Sequence, residues 1–382
     1  MHADSLYVAL HVTRWAGKRQ RSNRSLVGAV VAALLIGTCV LAADKGIEKT
    51  PPKMPKFTIS QRTTAPLLKA ERPYEDSELN ATAIIRIKGQ WRMWYESYDH
   101  TSQGDNDSYL CFATSRDGVH WQRPNLGLVE YGGNKDNNIL IDGRKAGGMH
   151  AATVFLDKQA PAKERFKMVF ARGEVLTSGE REPGRGFGYY IHGATAPDGI
   201  HWQLIPEPLF RKNSDTQSVC FRDGNLYRLY VRMWTGGHFK GKREVGYSES
   251  PTFGNFPTPV PILAPDAQDP EDLQFYNSAA TKLKKHLYVL FPSGFYTGDQ
   301  TVRPHLAVSR DGKTFERVGR DVVLPLGAPG AFDSKMIFVH PGAIPGDQPN
   351  TYWIYYGGYD IGHNGKTKYS GGYGRFLLTV EE

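Results

Sequence analysis

A short motif recurs along the chain and constrains the fold more than any other feature of the sequence. It occurs three times, as Ser115-Arg-Asp-Gly-Val-His-Trp121, Ala196-Pro-Asp-Gly-Ile-His-Trp202 and Ser309-Arg-Asp-Gly-Lys-Thr-Phe315, with a degenerate copy at Ser248-Glu-Ser-Pro-Thr-Phe253. Asp-Gly pairs suit the tight turns of hairpins, and the aromatic residue that follows can anchor the next strand. Such repetition indicates an array of similar structural units.

Strand-like runs fill the sequence between these turns. Five runs rich in aromatic and β-branched residues occupy positions 89–97, 165–173, 225–233, 286–294 and 351–359. Each follows one strand-like run and precedes another, as expected of consecutive strands. No helical period appears after residue 43. The unit is therefore three strands, an Asp-Gly turn and an outer strand, repeated five times with about 60 residues per unit.

This repeat predicts an all-β fold, a five-bladed β-propeller of four-stranded antiparallel blades. The blades are expected to start near residues 76, 150, 215, 272 and 333, within a domain that spans residues 56–382. The last unit ends at its third strand, so residues near 56–68 are expected to supply the outer strand. Closing the ring in this way removes exposed strand edges. Residues 44–55, rich in Lys and Pro, are expected to form a linker.

The first 43 residues are typical of an export signal. Five basic residues and one acid occur there, and the uncharged stretch 25–43 ends in the small residues Ala42 and Ala43. A basic segment followed by an apolar segment and then by small residues is the order found in signal peptides. It predicts a cleaved signal peptide and a periplasmic or extracellular protein. The alternative is a retained membrane anchor, because about 18 apolar residues can just span a bilayer.

Charge and cysteine content argue against other classes of function. The net charge is +8, but residues 1–43 contribute +4 of it, and no long basic run remains in the rest of the chain. Nucleic-acid binding then has no support. Of three cysteines, Cys39 lies in the export segment, while Cys111 and Cys220 lie in apolar runs. Buried thiols are expected, without a disulfide framework or a zinc pattern.

Ionisable residues precede the innermost strand of each unit, where a propeller brings them to one mouth of its central channel. The candidate catalytic residues at these positions are His150, Asp215, Glu271, Asp272 and Asp333. Clustered carboxylates push their pKa values apart, so that one can donate a proton while another stays ionised. Cleavage of a glycosidic bond uses such a pair. The alternative role is structural, because Asp before a strand is a common turn former.

The candidate substrate-binding residues are acidic, cationic or aromatic. They are Glu78, Arg172, Arg232, Trp234, Tyr276 and His305. Aromatic faces stack on sugar rings, and guanidinium groups bind hydroxyl or carboxylate oxygens, although most aromatic residues of a propeller pack between its blades. No cofactor is predicted; the channel carboxylates offer the oxygen ligands that Ca²⁺ takes, but no metal-binding motif accompanies them. The chain is expected to be a monomer with a carbohydrate as its partner.

Several longer stretches resemble the five-bladed propeller glycoside hydrolases of families 32, 43 and 117. They occupy residues 114–140, 214–219, 275–280, 306–312, 324–338 and 355–360, and they look closest to exported bacterial proteins labelled family-32-like or family-43-like. The resemblance implies a carboxylate base or nucleophile, a modulating Asp and a general acid at the starts of inner strands. It implies Asp215 as base or nucleophile, Asp272 or Glu271 as acid, and His150 with Asp333 in tuning or binding.

Two alternatives to a glycosidase remain open at this point. One is a non-catalytic propeller that binds carbohydrate through the same channel. The other is a sialidase, because the Asp-Gly-aromatic turns are similar to sialidase Asp boxes. The turn here is one residue shorter than that box, and five units are present instead of six, so the glycosidase hypothesis is preferred.

Overall fold

The computed structural model of the chain describes residues 54–176, 186–237, 239–365 and 371–381. These residues form strands, with two single 3-10 turns at Pro73–Glu75 and Ala162–Glu164. The export segment and most of the linker predicted above lie outside the described residues. Within the described part of the chain, no helix is both long enough and apolar enough to cross a bilayer.

The first two repeat units follow two strands from the start of the described chain. Those two are β1 (Lys56–Ser60) and β2 (Leu68–Lys69). The first unit comprises β3 (Glu78–Ile87), β4 (Gln90–Tyr98), β5 (Tyr109–Ser115), β6 (Trp121–Gln122) and β7 (Ile139–Asp142). The second comprises β8 (His150–Leu156), β9 (Phe166–Val175), β10 (Phe187–Ala196) and β11 (Gln203–Leu204). Strands within each unit pair in antiparallel fashion, with β7 paired to β5.

The remaining three units repeat the same order of strands. The third comprises β12 (Val219–Asp223), β13 (Leu226–Trp234), β14 (Arg243–Ser250) and β15 (Val260–Leu263). The fourth comprises β16 (Leu273–Lys284), β17 (Leu287–Tyr296), β18 (Thr301–Pro304), β19 (Ala307–Ser309) and β20 (Glu316–Arg317). The fifth comprises β21 (Met336–Val339), β22 (Ile344–Pro345), β23 (Thr351–Tyr359) and β24 (Gly372–Glu381). A parallel bridge between Val302 and Met336 joins the fourth and fifth units into one sheet.

The start of the described chain completes the fifth unit. Strand β1 pairs in antiparallel fashion with β24, from Lys56 opposite Glu381 to Ser60 opposite Leu377. Strand β2 pairs with the other end of β24. The fifth unit thus receives its outermost strand from the segment that the repeat pattern indicated.

Apolar residues pack between successive units. Ring contacts join Trp94 to Phe166 (first and second units), Phe291 to Phe376 (fourth and fifth) and Tyr95 to Tyr373 (first and fifth). Ile191 and Leu229 belong to one cluster of the second and third units, and Tyr230 and Leu290 to one cluster of the third and fourth. Each of these clusters draws side chains from two units. One of these clusters contains residues of the first and fifth units.

The Asp-Gly turns fasten neighbouring units together. In the first turn, the Asp117 carboxylate accepts hydrogen bonds from backbone N–H groups within the turn, and Gly118 has φ +72°. The carbonyl of each turn glycine accepts a hydrogen bond from an aromatic side chain of the preceding unit: Gly118 from Tyr355 (2.7 Å), Gly199 from Trp94 (2.6 Å) and Gly312 from Tyr230 (2.7 Å). The motif therefore recurs because each copy makes the same contact with its neighbour.

The degenerate fourth turn is two residues out of the predicted phase. The Oγ atom of Ser250 accepts a hydrogen bond from the N–H of Thr252 at 3.1 Å, just as Ser115 Oγ accepts from Asp117 at 3.2 Å. The copy thus begins at Ser250, and the prediction that it begins at Ser248 was wrong. In the correct phase, Thr252 takes the place of Asp and Phe253 takes the place of Gly.

Substituting Gly118 with alanine tests the role of these turns. A Cβ atom there would lie 2.5 Å from the Tyr355 hydroxyl oxygen and 2.9 Å from the Trp91 ring. Gly89 is the matched control, because it has φ +84° but no atom within 4 Å of its Cβ position. Gly89→Ala should cost about 1 kcal/mol of unfolding free energy and Gly118→Ala about 2–4 kcal/mol, since only the latter adds overpacking. Equal losses in urea unfolding would contradict the proposed docking role.

Candidate active site

The innermost strands of three units are irregular near their starts. The antiparallel register shifts between Leu79 and Thr82 in β3, between His150 and Thr153 in β8, and between Phe275 and Ser278 in β16. Each shift is a bulge, which inserts an extra residue and re-aims the side chains beside it. Ala151 at the second bulge has φ +55°, an uncommon conformation for a residue with a Cβ.

Residues at these bulges line one cavity of about 510 Å³. Five of the predicted site residues line it: Glu78, His150, Asp215, Arg232 and Tyr276. It is also lined by Tyr98, Asp105, Gln217, Asn277, His340 and His363, among others. The structure therefore brings together one predicted catalytic carboxylate, the predicted histidine and three predicted binding residues.

Two of the predicted acids, Glu271 and Asp272, lie away from this cavity. Glu271 is exposed, and the Asp272 carboxylate accepts a hydrogen bond from the Gly298 N–H at 3.1 Å, in the turn that follows β17. The bulge in β16 accounts for their position outside the cavity, because it places Tyr276 and Asn277 at the cavity instead of these two acids. The structure gives neither acid a place at the candidate site.

Asp333, predicted to tune or bind, forms a structural ion pair. Its Oδ2 atom lies 2.5 Å from the Arg62 guanidinium and accepts a hydrogen bond from the Tyr356 hydroxyl at 2.9 Å. Arg62 belongs to the segment between β1 and β2. Asp333 therefore fastens the start of the chain to the fifth unit, and it does not line the cavity.

The remaining three predicted binding residues also support other parts of the structure. Arg172 donates hydrogen bonds to the carbonyls of Gly148 and Ala146, which hold the loop before β8. Burial and the nearby Arg317 guanidinium lower the pKa of His305 to about 4, so this histidine is a neutral interior residue. Trp234 packs with its ring centroid 5.0 Å from the Arg232 guanidinium and supports that side chain from outside the cavity.

A buried glutamate beneath the cavity, Glu96, sets the electrostatics of the site. Its side chain is only 1% exposed, and its Oε1 atom lies 3.4 Å from His150 Nδ1 and accepts a hydrogen bond from the Ala151 N–H at 2.8 Å. Burial by itself disfavours a charged imidazole, but the Glu96 carboxylate outweighs it and raises the pKa of His150 to about 9. His150 is therefore an imidazolium at neutral pH.

The protonated state of His150 orients the hydrogen bonds around it. Its Nδ1–H donates to the Tyr98 hydroxyl oxygen at 2.8 Å, which leaves that hydroxyl free to donate to Glu96 Oε1 at 3.0 Å. The Oε2 atom of Glu96 is buried without a hydrogen-bond partner in the described part of the chain. A buried carboxylate oxygen without a partner costs free energy, and such costs are characteristic of functional sites.

Glu78 is the carboxyl group of the cavity whose pKa is raised. Burial, and next the negative charge of Glu96, raise its pKa to about 7, against the opposing effect of His150. A carboxyl group with such a pKa is about half protonated at neutral pH and can act as a general acid. The sequence had indicated Glu78 as a binding residue, and these surroundings suit it to proton transfer.

Asp215 is the ion-paired carboxylate of the cavity. Its Oδ1 atom lies 2.5 Å from Nη2 of Arg232 and accepts a hydrogen bond from Nε at 2.8 Å. Arg232 is only 3% exposed, its guanidinium lies 4.3 Å from the centroid of the Tyr276 ring, and its Nη1 has no hydrogen-bond partner among the described residues. The two N–H groups of Nη1 are therefore buried without an acceptor among the described residues.

His340 lies at the cavity as a neutral histidine. Burial lowers its pKa to about 3. Gln217 uses its amide group to donate to the Thr82 carbonyl, so its Oε1 atom must accept, and His340 Nδ1–H donates to it at 3.2 Å. The lone pair of His340 then lies on Nε2, which is buried without a hydrogen-bond partner in the described residues.

Sequence reasoning missed Glu96, Tyr98, Gln217 and His340. Glu96 had a detectable signal, because it is the acid within a run, residues 93–98, that is buried at every position. A charged residue in such a run needs a partner or a function. His340 and Gln217 gave no comparable signal, since their position at the cavity depends on how the units pack.

Among the described residues, no group of three or more His, Cys, Asp and Glu side chains is arranged to hold a metal ion. Cys111 and Cys220 are both free and buried. Burial raises the pKa of each thiol above its usual range, which agrees with inert interior cysteines.

Replacing Glu96 with glutamine should remove the charge that protonates His150. The pKa of His150 is expected to fall from about 9 to 6.5 or below, and the loss of a buried partner should cost about 3 kcal/mol at pH 7. Because the folded-state pKa of His150 is raised, its stabilisation is present below pH 6.5 and lost as the pH rises through 9. NMR titration of the His150 ring and urea unfolding measure both effects. Glu130→Gln, at an exposed position, is the control, and an unchanged His150 pKa in Glu96→Gln would contradict the assignment.

Comparison with known proteins shows the fold through solved structures. No protein-family profile and no curated protein sequence matches the chain. An N-acetylgalactosamine deacetylase from F. plautii, in complex with blood group B trisaccharide, has a TM-score of 0.57 at 13% identity, over 85% of this chain and 95% of that one. Zg3597, a family 117 glycoside hydrolase of Zobellia galactanivorans, has a TM-score of 0.54 at 13% identity, over 85% and 90%. A β-1,2-mannobiose phosphorylase from Listeria innocua has a TM-score of 0.54 at 13% identity, over 83% and 96%.

These similarities define the class of fold. The chain has the strand-rich fold shared by glycoside hydrolases of family 117 and a mannobiose phosphorylase. The resemblance drawn from its sequence motifs is thereby confirmed at the level of the fold.

Proposed function

We propose that the five units close into a five-bladed β-propeller with the cavity at its axis. Packing of the fifth unit on the first supports closure, as do the hydrogen bonds from Tyr359 to the Leu79 carbonyl and from Tyr373 to the Asn80 carbonyl. Radial repetition of this kind leaves only short, protected strand edges. Residues 1–43 are proposed to export the protein to the periplasm or the outside of the cell, as a cleaved signal or a membrane anchor.

We infer that the chain is a glycoside hydrolase that cleaves an oligo- or polysaccharide in this cavity. The observation that carries the proposal is the contrast between two carboxyl groups of one cavity. Glu78 has a pKa raised to about 7, while Asp215 is paired with Arg232. A proton donor and a carboxylate that face one site are the two groups that glycoside hydrolysis requires.

The two carboxyl groups take complementary roles in this mechanism. Glu78 donates its proton to the glycosidic oxygen as the bond to the leaving sugar breaks. Asp215 acts as the base that activates water or as the nucleophile that attacks the anomeric carbon, according to the distance between the two groups. The positive charges of His150 and Arg232 flank the site and can donate to hydroxyl or carboxylate oxygens of the sugar.

A screen of oligosaccharides tests this function. The purified protein should release new reducing ends from at least one neutral or acidic oligosaccharide in a panel, as measured by chromatography of the products. The double variant Glu78→Gln/Asp215→Asn, prepared in parallel, should release none, which excludes a contaminating enzyme. Binding of glycans by calorimetry without product from the unmodified protein would favour the non-catalytic propeller instead.

A further inference from the structure

A second pocket lies at the junction of the second and third units, at the degenerate turn. It has a volume of about 560 Å³, and its lining includes Lys167, Tyr227, Phe253, Thr195, Gln203 and Thr252. It shares no lining residue with the central cavity. We call it the Lys167 pocket.

The repeat shows what Lys167 would contact if its neighbour were a normal turn. Arg92 and Arg228 occupy the same place in their units, and each donates to the carbonyl of the turn aspartate of the next unit, at 3.2 Å to Asp198 and 2.7 Å to Asp311. Lys167 pairs with Thr195 one residue before the turn, as Arg92 pairs with Thr114. Lys167 is therefore the cation of the second unit in this series.

The degenerate turn leaves Lys167 without that partner. Val169 replaces the docking aromatic residues Trp94 and Tyr230, and the Phe253 ring fills the space instead, 4.9 Å from the Lys167 Nζ atom. Lys167 is 3% exposed, and its ammonium group contacts the rings of Tyr227 and Phe253 but makes no hydrogen bond or ion pair with the described residues. Its acidic neighbour Asp157 is already occupied by the Tyr227 hydroxyl and by two backbone N–H groups.

The ammonium group of Lys167 retains three donors for acceptors in the pocket. Rings supply attraction to its charge but no hydrogen-bond acceptor along the N–H directions. The Nζ atom is reached from the pocket, so an anionic oxygen group there can meet both its charge and its donors. Hydroxyl and amide groups of Thr195, Thr252 and Gln203 lie in the same lining and can donate to or accept from such a ligand. Glu164, also in the lining, lies 3.6 Å from Lys163.

We propose that the Lys167 pocket is a second ligand site, which binds an oxyanion such as the carboxylate of a uronic acid sugar. The unpartnered ammonium binds the anion, and the apolar walls around Tyr227 and Phe253 contact the body of the ligand. The site lies where one repeat lacks the Asp-Gly turn, and it shares no lining residue with the central cavity, so it is independent of the reaction proposed there.

Calorimetric titration with galacturonate, galactose and sodium sulfate at constant ionic strength tests the site. The unmodified protein should bind galacturonate and should not bind galactose through this pocket. Lys167→Met should weaken galacturonate binding by at least about tenfold, because a charge-assisted hydrogen bond is lost. Lys167→Arg should retain binding, and Lys158→Met, at an exposed lysine outside the pocket lining, should leave it unchanged.

The outcomes separate the possible ligands from an empty pocket. Tighter binding of galacturonate than of sulfate assigns the site to acidic saccharides, and equal binding assigns it to a free oxyanion. Absence of binding, or equal binding by Lys167→Met and the unmodified protein, would overturn the proposal and leave only water in the pocket. Circular dichroism of both Lys167 variants confirms that they fold, and Lys167→Arg keeps the test valid if Lys167→Met does not.

Discussion

Replacing Glu78 with glutamine is expected to reduce turnover by about 10²–10⁴-fold, the usual contribution of a general acid. Glutamine keeps the shape of the side chain but cannot donate a proton to the glycosidic oxygen. Substrate binding should change little, so the effect should appear in kcat. The release of reducing ends from the substrate identified by screening measures it.

The same substitution should stabilise the protein at alkaline pH. The folded-state pKa of Glu78, about 7, exceeds the ordinary glutamate value of 4.5, so the folded protein holds this proton more tightly than the unfolded chain. The stability that the protonated Glu78 contributes to the folded protein is complete at pH values below 4.5 and is lost as the pH rises through 7. Glu78→Gln should therefore match the unmodified protein at pH 4 and exceed its unfolding free energy by up to about 3 kcal/mol at pH 8. A variant that is both active and no more stable at pH 8 would exclude Glu78 as the acid.

Replacing Asp215 with asparagine should also reduce turnover by about 10²–10⁴-fold, because an amide is neither a base nor a nucleophile. The amide oxygen can still accept the hydrogen bond from Arg232 Nε, which is now 2.8 Å from Oδ1. The fold should therefore persist, and thermal unfolding of the variant checks it. Glycan binding by calorimetry should be retained.

Two other acids of the same sequence pattern serve as matched controls for both substitutions. Asp272→Asn and Glu271→Gln remove carboxylates that precede an inner strand but lie outside the cavity. Both variants should keep the turnover of the unmodified protein. A loss in Asp272→Asn as large as in Asp215→Asn would contradict the placement of the site.

Much of the fold could be predicted because a few adjacent residues specify each turn of the repeat. An Asp-Gly pair followed by an aromatic residue marks a turn wherever it occurs, and each copy makes one contact with its neighbour, as between Gly199 and Trp94. The pairing of β1 with β24 followed from counting strands in the last unit. The fourth turn was placed out of phase because Thr252 and Phe253 replace the two residues that identify the motif.

The site was harder to predict because bulges decide which residues reach the cavity. A register shift after Phe275 moves Asp272 away and brings Tyr276 in, and a single sequence does not show where such a shift falls. Glu96 comes from the second strand of its unit, so a search restricted to the starts of inner strands could not find it. Its influence on Glu78 and His150 depends on burial, which arises only when the units pack.

The most direct test of the account is a crystal structure of the Glu78→Gln variant with the oligosaccharide substrate bound. The scissile glycosidic oxygen should lie about 3 Å from the side-chain amide of residue 78, within hydrogen-bond reach. Asp215 should face the anomeric carbon of the same sugar, directly or through one water molecule. A saccharide bound with its glycosidic bond away from both residues, whether beside Asp272 and Asp333 or outside the cavity, would contradict the proposed mechanism.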